Sequence, residues 1–371
     1  MKRRSVVGGL AAMAAAGLGG CARKSITAES GQGSERASPS HLRRHAEDSP
    51  RTLDPALNTD LPAMQMIDDL FEGLLRLDPA GNSVPAVATR WSQSDDGLTW
   101  TFELRRDARW SNGDVVTAHD FVYAWRRLFD PATRSQMVQS ASCIVNGLAI
   151  ARGELKPEAL GVVAKGDFAL EVRLVSRTAW LPYLLTTNFL MPVHRGTVET
   201  HGERWTRPGN LVSNGAFFLA DQRIDGPVRL ERNPHHPEAQ GIRLESVTHF
   251  PVPDRNSVTS RYLAGDLDVT NGFQITDVHW LREQLGSEVS LTPYFGTVML
   301  GFHPNREPFD NRALREAMNM AIDREVLTGK LLRGLFLPAY NIVPPVPGYE
   351  PAVPEWASWP ADRRHARARE L

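Results

Sequence analysis

The stretch that most constrains the fold lies between residues 97 and 125, where a strand pattern gives way to a helix pattern. Apolar and polar side chains alternate along its first part, as Trp100, Phe102 and Leu104 against Thr101, Glu103 and Arg105. This period of two is typical of an antiparallel strand with one buried and one solvent-facing side. A second layer of structure must therefore cover the apolar face of the strand.

A turn and a capped helix are predicted directly after this strand. Residues 111–114 (Ser-Asn-Gly-Asp) favour a turn, because Asn and Gly adopt a positive φ at little cost. Thr117 is the predicted N-cap, and Asp120 is its capping-box partner three residues later. Phe121 and Trp125, four residues apart, then form the buried stripe of the helix.

Three titratable side chains, Asp114, His119 and Asp120, are close together in this stretch and suggest a reaction centre. The predicted elements assign them to other roles. Asp114 belongs to the turn and His119 to the exposed first turn of the helix, whereas the negative charge of Asp120 interacts favourably with the helix dipole. The sequence thus predicts a scaffold here and not a catalytic site.

The rest of the chain mixes short strand patterns with amphipathic helix patterns. One helix pattern places Leu314, Met318, Ala321 and Ile322 on a single stripe. The 371 residues are enough for two or three domains, and no internal repeat is evident. Strands interspersed with helices indicate the α/β class with mixed sheets. The formal net charge of −1 argues against nucleic acid as a partner.

The N-terminus has the features of an export signal. Basic residues at positions 2–4 precede an apolar run that is too short to span a bilayer comfortably. The run ends in Leu18-Gly19-Gly20-Cys21, which is similar to the lipobox of bacterial lipoproteins. We expect residues 1–21 to be a lipoprotein signal peptide and Cys21 to carry the lipid that anchors the protein to a membrane. The alternative is an ordinary signal peptide with an incidental cysteine.

Residues 22–50 are polar, contain several Gly and Ser residues and lack periodicity, so that a flexible tether is predicted for them. If Cys21 is lipidated, Cys143 is the only other cysteine and no intramolecular disulfide is expected. An exported protein without disulfides needs a sizeable apolar core to hold its fold.

No catalytic or metal-binding pattern is evident. His235 and His236 are adjacent, and Asp266 and Asp268 lack a further ligand at a suitable spacing. There is neither a Gly-x-Ser-x-Gly elbow nor a glycine-rich phosphate loop. The four arginines at positions 363, 364, 367 and 369 are interpreted as a solvated helix face. We therefore expect no enzyme activity, no metal and no cofactor, and a ligand-binding module instead.

Five ordered blocks carry a family resemblance: RTLDPAL (51–57), DLFEGLLRLDPAGNSVPAVATRW (69–91), GLTWTFELRRDARWSNGDVVTAHDFVYAWRRLFDP (97–131), RYLAGDLDVTN (261–271) and PFDNRALREAMNMAIDRE (308–325). Together they resemble the extracytoplasmic solute-binding proteins of ABC importers. The likeness is to the peptide and nickel class, family 5, and within it to the oligopeptide-binding branch.

The resemblance implies a class II periplasmic-binding-protein fold, with two α/β lobes built on mixed sheets and an extra small α/β domain. Under it, residues 51–69 and 194–295 form the first-lobe domain. Residues 70–193 form the small domain, and residues 296–371 begin the second lobe. We expect that lobe to be incomplete and the chain to be C-terminally truncated.

The resemblance also implies a function, namely a receptor in the extracytoplasmic space that binds oligopeptides through their main chain and delivers them to an ABC permease. The ligand-binding residues that it implies are Thr59, Asp60, Leu61, Asn271, Gly272 and Tyr294. Each of them is also compatible with a purely structural role. In the family, the acidic residue that receives the peptide ammonium lies downstream of Leu371. The alternative is therefore a truncated product that does not take part in transport and binds ligand poorly.

Overall fold

A computed structural model describes residues 40–270, 272–291, 296–344 and 349–371 of the chain. Ten strands are found within these ranges: β1 (His41–Ala46), β2 (Leu75–Leu77), β3 (Ser83–Pro85), β4 (Ala88–Gln93), β5 (Thr99–Leu104), β6 (Val162–Ala164), β7 (Ala169–Arg173), β8 (Phe217–Gln222), β9 (Val228–Arg232) and β10 (Ser246–Pro251). They make two four-stranded sheets and one short hairpin, which is formed by β2 and β3.

The described residues also contain ten α-helices. These are α1 (Leu61–Leu70), α2 (Ala118–Phe129), α3 (Gly147–Ala151), α4 (Leu181–Leu184), α5 (Arg195–His201), α6 (Arg255–Leu263), α7 (Val278–Leu285), α8 (Arg312–Ala321), α9 (Arg324–Val326) and α10 (Ala361–Glu370). Short 3-10 helices occur at Pro157–Ala159, Asn188–Leu190, Gly202–Arg204, Ala239–Gly241, Ile275–Asp277, Gly286–Glu288 and Glu355–Ser358, and a π-helical turn at Leu327–Leu331.

The first sheet is mixed and has the strand order β1-β10-β9-β8. β1 runs parallel to β10, with His41 opposite Ser246 and Ala46 opposite Pro251, and the other pairs are antiparallel. The second sheet, of order β4-β5-β7-β6, is antiparallel throughout. The prediction of an α/β protein with mixed sheets is therefore confirmed.

The predicted tether is wrong for residues 41–46, which form β1 and lie at one side of the first sheet. Their sequence, His-Leu-Arg-Arg-His-Ala, is too polar to show a strand period. The strand forms because β10, about two hundred residues away, pairs with it along its whole length. Such non-local pairing leaves no local pattern in a sequence.

The strand, turn and capped helix predicted for residues 97–125 are confirmed. Trp100, Phe102 and Leu104 are the buried positions of β5. At the start of α2, the Asp120 carboxylate accepts hydrogen bonds from the backbone N–H of Thr117 at 2.7 Å and from its hydroxyl at 3.0 Å. Further along the helix, two fully buried rings, those of Phe121 and Trp125, meet edge to face with centroids 6.4 Å apart.

One apolar core extends between the two four-stranded sheets and the helices that cover them. Its largest fully buried side chains include three tryptophans and several phenylalanines: Trp110, Trp125, Trp205, Phe71, Phe102, Phe121 and Phe129. In a smaller apolar cluster, Val258 of α6 packs with Val252, which follows β10, and with Leu267. Residues from the predicted first-lobe domain and from the predicted small domain thus share a core.

Residues 308–371 differ from the sequence prediction in two details. In α8 the buried residues are Ala317 and Met320, whereas Ala321 of the predicted stripe is exposed in an open groove that it lines with His365 and Ala368 of α10. In α10, Arg364 is only 4% exposed, so the prediction of a solvated arginine face is wrong at this position. Its guanidinium donates to Glu325 at 3.2 Å and to the Tyr340 hydroxyl at 3.1 Å. In the parts of the chain that the structure describes, no helix is both long enough and apolar enough to cross a membrane.

Candidate ligand-binding site

The segment that leads into α1 presents every second side chain to solvent. Leu57 is 39% exposed and Leu61 is 60% exposed, and Thr59 between them is exposed as well. Ala56, which precedes Leu57, and Asn58, which follows it, are 4% and 5% exposed. The Asp54 carbonyl accepts hydrogen bonds from the Leu57 and Asn58 N–H groups, so residues 54–58 form a turn, and the exposed side chains follow from it into the start of α1. One side of the segment rests on the protein and the other is open to a partner.

The backbone of Thr59 is open as well as its side chain. Across the described ranges, neither its N–H nor its C=O has a hydrogen-bond partner. Neighbouring backbone N–H groups do form hydrogen bonds. The Asp60 N–H donates to Asn58 Oδ1 at 3.1 Å, and the Leu57 N–H donates to the Asp54 carbonyl at 3.1 Å. An exposed residue with both main-chain groups free can pair with another extended chain.

Asp60 has a structural task that the sequence did not reveal. It is the N-cap of α1, and its Oδ1 accepts a hydrogen bond from the Ala63 N–H at 2.8 Å. A carboxylate at this position stabilises a helix start by satisfying one of its free N–H groups. The capping interaction fixes the backbone at the start of α1, where Thr59 precedes the cap and Leu61 is the first helical residue.

The strand end at residues 268–270 lies beside β1. The Asp268 N–H donates to the Arg43 carbonyl at 2.8 Å, and the His45 N–H donates to the Val269 carbonyl at 2.9 Å. The Arg43 guanidinium also donates to both oxygens of Asp268, at 3.1 Å and 2.7 Å. These hydrogen bonds from Arg43 hold the pKa of the Asp268 carboxyl below its usual range. The ion pair fixes the register in which this segment extends the first sheet past β1.

Gly272 follows this strand end and is buried against the ring of His45. A Cβ atom at this position would lie 2.3 Å from His45 Cε1, a distance that no real Cβ contact reaches. The Gly272 N–H donates to Thr270 Oγ1 at 3.1 Å. The structure therefore assigns this glycine a packing role, which allows the chain to pass close to the end of β1.

Three of the predicted site residues, Cys21, Asn271 and Tyr294, lie outside the described residues. Of the others, Thr59, Asp60 and Leu61 form one continuous surface at the start of α1. Among the described residues, no hydrogen bond or ion pair connects this surface with Gly272. Their placement in a common binding site stays a prediction.

Sequence reasoning missed Asp54, the aspartate of the TLDP block. It is 2% exposed and accepts hydrogen bonds from Arg127 and from the indole N–H of Trp205. A buried carboxylate requires such partners. The one sequence signal that could have identified it is an acidic residue between apolar ones, next to a proline.

Asp114, which the sequence assigned to a turn, lies in a row with an imidazole and a hydroxyl group, those of His194 and Thr197. His194 Nε2 lies 3.0 Å from Asp114 Oδ2, and His194 Nδ1 lies 2.8 Å from Thr197 Oγ1. The hydroxyl is not accessible, however, because Thr197 is 6% exposed. Its backbone N–H also donates to His194 Nδ1 at 3.2 Å, as expected for the N-cap of α5. The row is a helix cap and the turn assignment of Asp114 is confirmed.

The remaining titratable residues that the structure describes offer no metal site. Within the ranges that the structure describes, no group of three or more His, Cys, Asp and Glu side chains could hold a metal ion. Cys143 is a free thiol in the core, where burial raises its pKa. What the arrangement at residues 57–61 supports is recognition of an extended ligand, without bond-making chemistry.

Comparison with known proteins identifies the class. The model of the family described as bacterial extracellular solute-binding proteins, family 5 Middle, matches residues 82–371, and the chain belongs to this family. The family consists of binding proteins of transporters and not of enzymes. The resemblance stated from the sequence blocks is thereby confirmed.

Among its relatives is the periplasmic murein peptide-binding protein MppA of Escherichia coli strain K12, which is 36% identical over 350 residues, covering 94% of this chain and 65% of MppA. The solved structure of MppA superposes with a TM-score of 0.84 over 89% of this chain and 65% of that chain. The structure of Haemophilus influenzae OppA in complex with the peptide RPPGFSPFR gives a TM-score of 0.82 at 34% identity, over 91% of this chain and 66% of that one.

These neighbours have the two-lobe α/β fold of family 5, so that the predicted fold class is confirmed. The chain spans about two thirds of the length of MppA and of the solved structures that it matches.

Proposed function

We propose that this chain is an extracytoplasmic receptor that binds oligopeptides and delivers them to an ABC-type permease. The names of its relatives support peptides as the ligand class, since they describe a murein peptide-binding protein and an oligopeptide-binding protein. In this proposal residues 51–69 and 194–295 belong to the first lobe and residues 70–193 to the small domain. Residues 296–371 belong to the second lobe.

The observation that carries the proposal is the free backbone of Thr59 between exposed Leu57 and Leu61. A peptide laid along this segment would receive one hydrogen bond from the Thr59 N–H and donate one to its carbonyl, as an added strand does. Main-chain pairing is independent of the ligand's side chains, so the receptor would accept peptides of varied sequence. Asn271, Gly272 and Tyr294 complete the site in this proposal.

The experiment that tests the proposal is calorimetric titration of the purified chain with a tripeptide and with the same tripeptide methylated at one backbone nitrogen. Loss of a main-chain hydrogen bond to a buried ligand weakens binding by roughly tenfold. A tripeptide with one altered side chain and an unmodified backbone is the matched control, and it should bind within a few-fold of the parent. Equal binding of the methylated peptide would contradict main-chain recognition.

A chain that binds none of these peptides would favour the alternative, a product that does not take part in transport and has impaired ligand binding. Native mass spectrometry of protein isolated from the producing cells gives an independent answer, because a receptor of this kind should retain peptide through purification. The two measurements together separate a weak receptor from an inactive one.

We further propose that Cys21 is lipidated and anchors the receptor to a membrane. The lipobox-like sequence at residues 18–21 supports this. Mass spectrometry of the mature N-terminal peptide should detect a diacylglyceryl cysteine, and Cys21→Ser should move the protein from the membrane fraction to the soluble one. A mature protein that begins at another residue would contradict the anchor.

A further inference from the structure

A buried carboxylate lies directly behind the segment that presents Thr59. Asp54 is 2% exposed. Its side chain accepts hydrogen bonds from Arg127 Nη1 at 2.9 Å, Arg127 Nη2 at 2.5 Å, Trp205 Nε1 at 3.3 Å and the Ala56 N–H at 3.0 Å. Four donors satisfy the two oxygens, which is the condition under which a buried carboxylate is stable.

The donors come from distant parts of the chain. Arg127 lies on α2, 73 residues from Asp54, and Trp205 is 151 residues away. The guanidinium of Arg127 also lies over the indole of Trp205, 5.9 Å from its ring centroid. A bidentate guanidinium stacked on a ring has little freedom to move, so the carboxylate is held in one orientation.

A second contact holds the same segment two residues further on. The hydroxyl of Ser135, which follows α2, donates to the Ala56 carbonyl at 2.5 Å. The Asp54 carbonyl in turn accepts hydrogen bonds from the Leu57 N–H at 3.1 Å and from the Asn58 N–H at 3.0 Å. The inner side of the segment is therefore bonded to the protein, and only its outer side is free.

We propose that Arg127 and Ser135 are positioning residues for peptide binding, which act through Asp54 and Ala56 to hold Thr59 in a conformation ready for a ligand. The inference rests on the proposed function, and it gives residues 118–135 of the predicted small domain a part in ligand affinity. Binding to a segment that is already ordered avoids the entropy loss of ordering it. A segment that loses these bonds should bind the same peptide more weakly, although it keeps every group that touches the ligand.

The test uses three variants of the full chain. Ser135→Ala removes the hydrogen bond to the Ala56 carbonyl, together with the one that Ser135 Oγ accepts from the Met137 N–H at 3.1 Å. Arg127→Lys keeps the charge but loses the bidentate contact. Ser140→Ala is the matched control, because Ser140 is an exposed serine of the same region and its hydroxyl has no partner among the described residues. Hydrogen–deuterium exchange of residues 55–61 is compared with exchange of β10, which reports on the fold as a whole.

Ser135→Ala and Arg127→Lys should speed exchange in residues 55–61 while β10 stays protected, and they should weaken tripeptide binding about tenfold. Unchanged exchange in residues 55–61, or an equal increase in β10, would overturn the inference. Faster exchange with unchanged affinity would overturn it too, since the contacts would then be merely structural. If the unmodified chain binds no peptide, the proposed function itself fails, and the exchange data still show whether these residues hold the segment.

Discussion

The Glu72 carboxylate lies 3.9 Å from His236 Nε2, and the two side chains are only 11% and 5% exposed. Burial raises the pKa of Glu72 to about 7, against the attraction of Arg76 and Arg105. Burial likewise lowers the pKa of His236. Each shift favours the uncharged form, so the contact is better described as a neutral pair in the interior than as an ion pair.

The raised pKa of Glu72 predicts a stability penalty above neutral pH. A carboxyl that titrates near 4.5 in the unfolded chain and at about 7 in the folded one stabilises the fold below pH 4.5. This contribution is lost as the pH rises through 7, by about 3 kcal/mol in all. Glu72→Gln should therefore be the more stable protein at pH 8, and its advantage should shrink towards pH 5.

Urea unfolding of both proteins from pH 5 to pH 8 measures this difference directly. Glu158→Gln is the matched control, because that side chain is exposed and is not among the charged groups that shift the pKa of Glu72 or of His236, so its removal should leave the pH profile unchanged. Parallel profiles for the unmodified protein and Glu72→Gln would show that Glu72 titrates normally. The lowered pKa of His236 acts in the opposite direction, since its contribution is lost as the pH falls.

Gly272→Ala should destabilise the protein by about 1–3 kcal/mol, because the new methyl group has no space beside His45. Gly241→Ala is a suitable control, since a Cβ there meets no atom within 4 Å. Both variants replace a glycine with an alanine, so a difference between their thermal unfolding midpoints reports the difference in available space. Equal midpoints would mean that the chain does not pass as close to His45 as the structure shows.

Asp120→Ala should lower the free energy of unfolding by about 1 kcal/mol through loss of the cap on α2. The carboxylate receives the Thr117 N–H at 2.7 Å, and alanine leaves that donor without a partner. His119→Ala changes the exposed neighbouring residue and should have an effect close to zero, because its contact with Asp167 at 3.6 Å is between exposed side chains. Chemical denaturation at pH 7 distinguishes them. A larger effect of His119→Ala would refute the assignment of Asp120 as the capping-box partner of Thr117.

Arg364→Ala should loosen the contact between α10 and the residues near Tyr340, at a loss of about 1–3 kcal/mol, since it removes the hydrogen bonds that Arg364 donates to Glu325 and to the Tyr340 hydroxyl. Only the hydrogen bond from the Tyr340 hydroxyl to Glu325 then remains. Arg369→Ala removes an exposed arginine of the same helix and serves as the control. Limited proteolysis should cut the first variant faster within residues 320–371. Identical cleavage rates would argue that Arg364 is solvated after all.

Much of the local structure could be predicted from the sequence. The period of two in β5, the cap at Thr117 and the stripe of Phe121 and Trp125 are each encoded within a few residues, so that no distant information is needed. The order of five sequence blocks was enough to identify the family. The resemblance also implied Thr59, Asp60 and Leu61 as ligand-binding residues, which stays a prediction.

The sequence by itself determined the α/β class, the strand, turn and helix of residues 97–125, and membership of family 5. Only the tertiary structure decided which polar groups are buried and what they contact. Asp54 meets Arg127 and Trp205 across 73 and 151 residues, and β1 is a strand only because β10 pairs with it. Periodicity and capping depend on near neighbours in the chain, whereas burial and strand pairing depend on residues that the fold brings together.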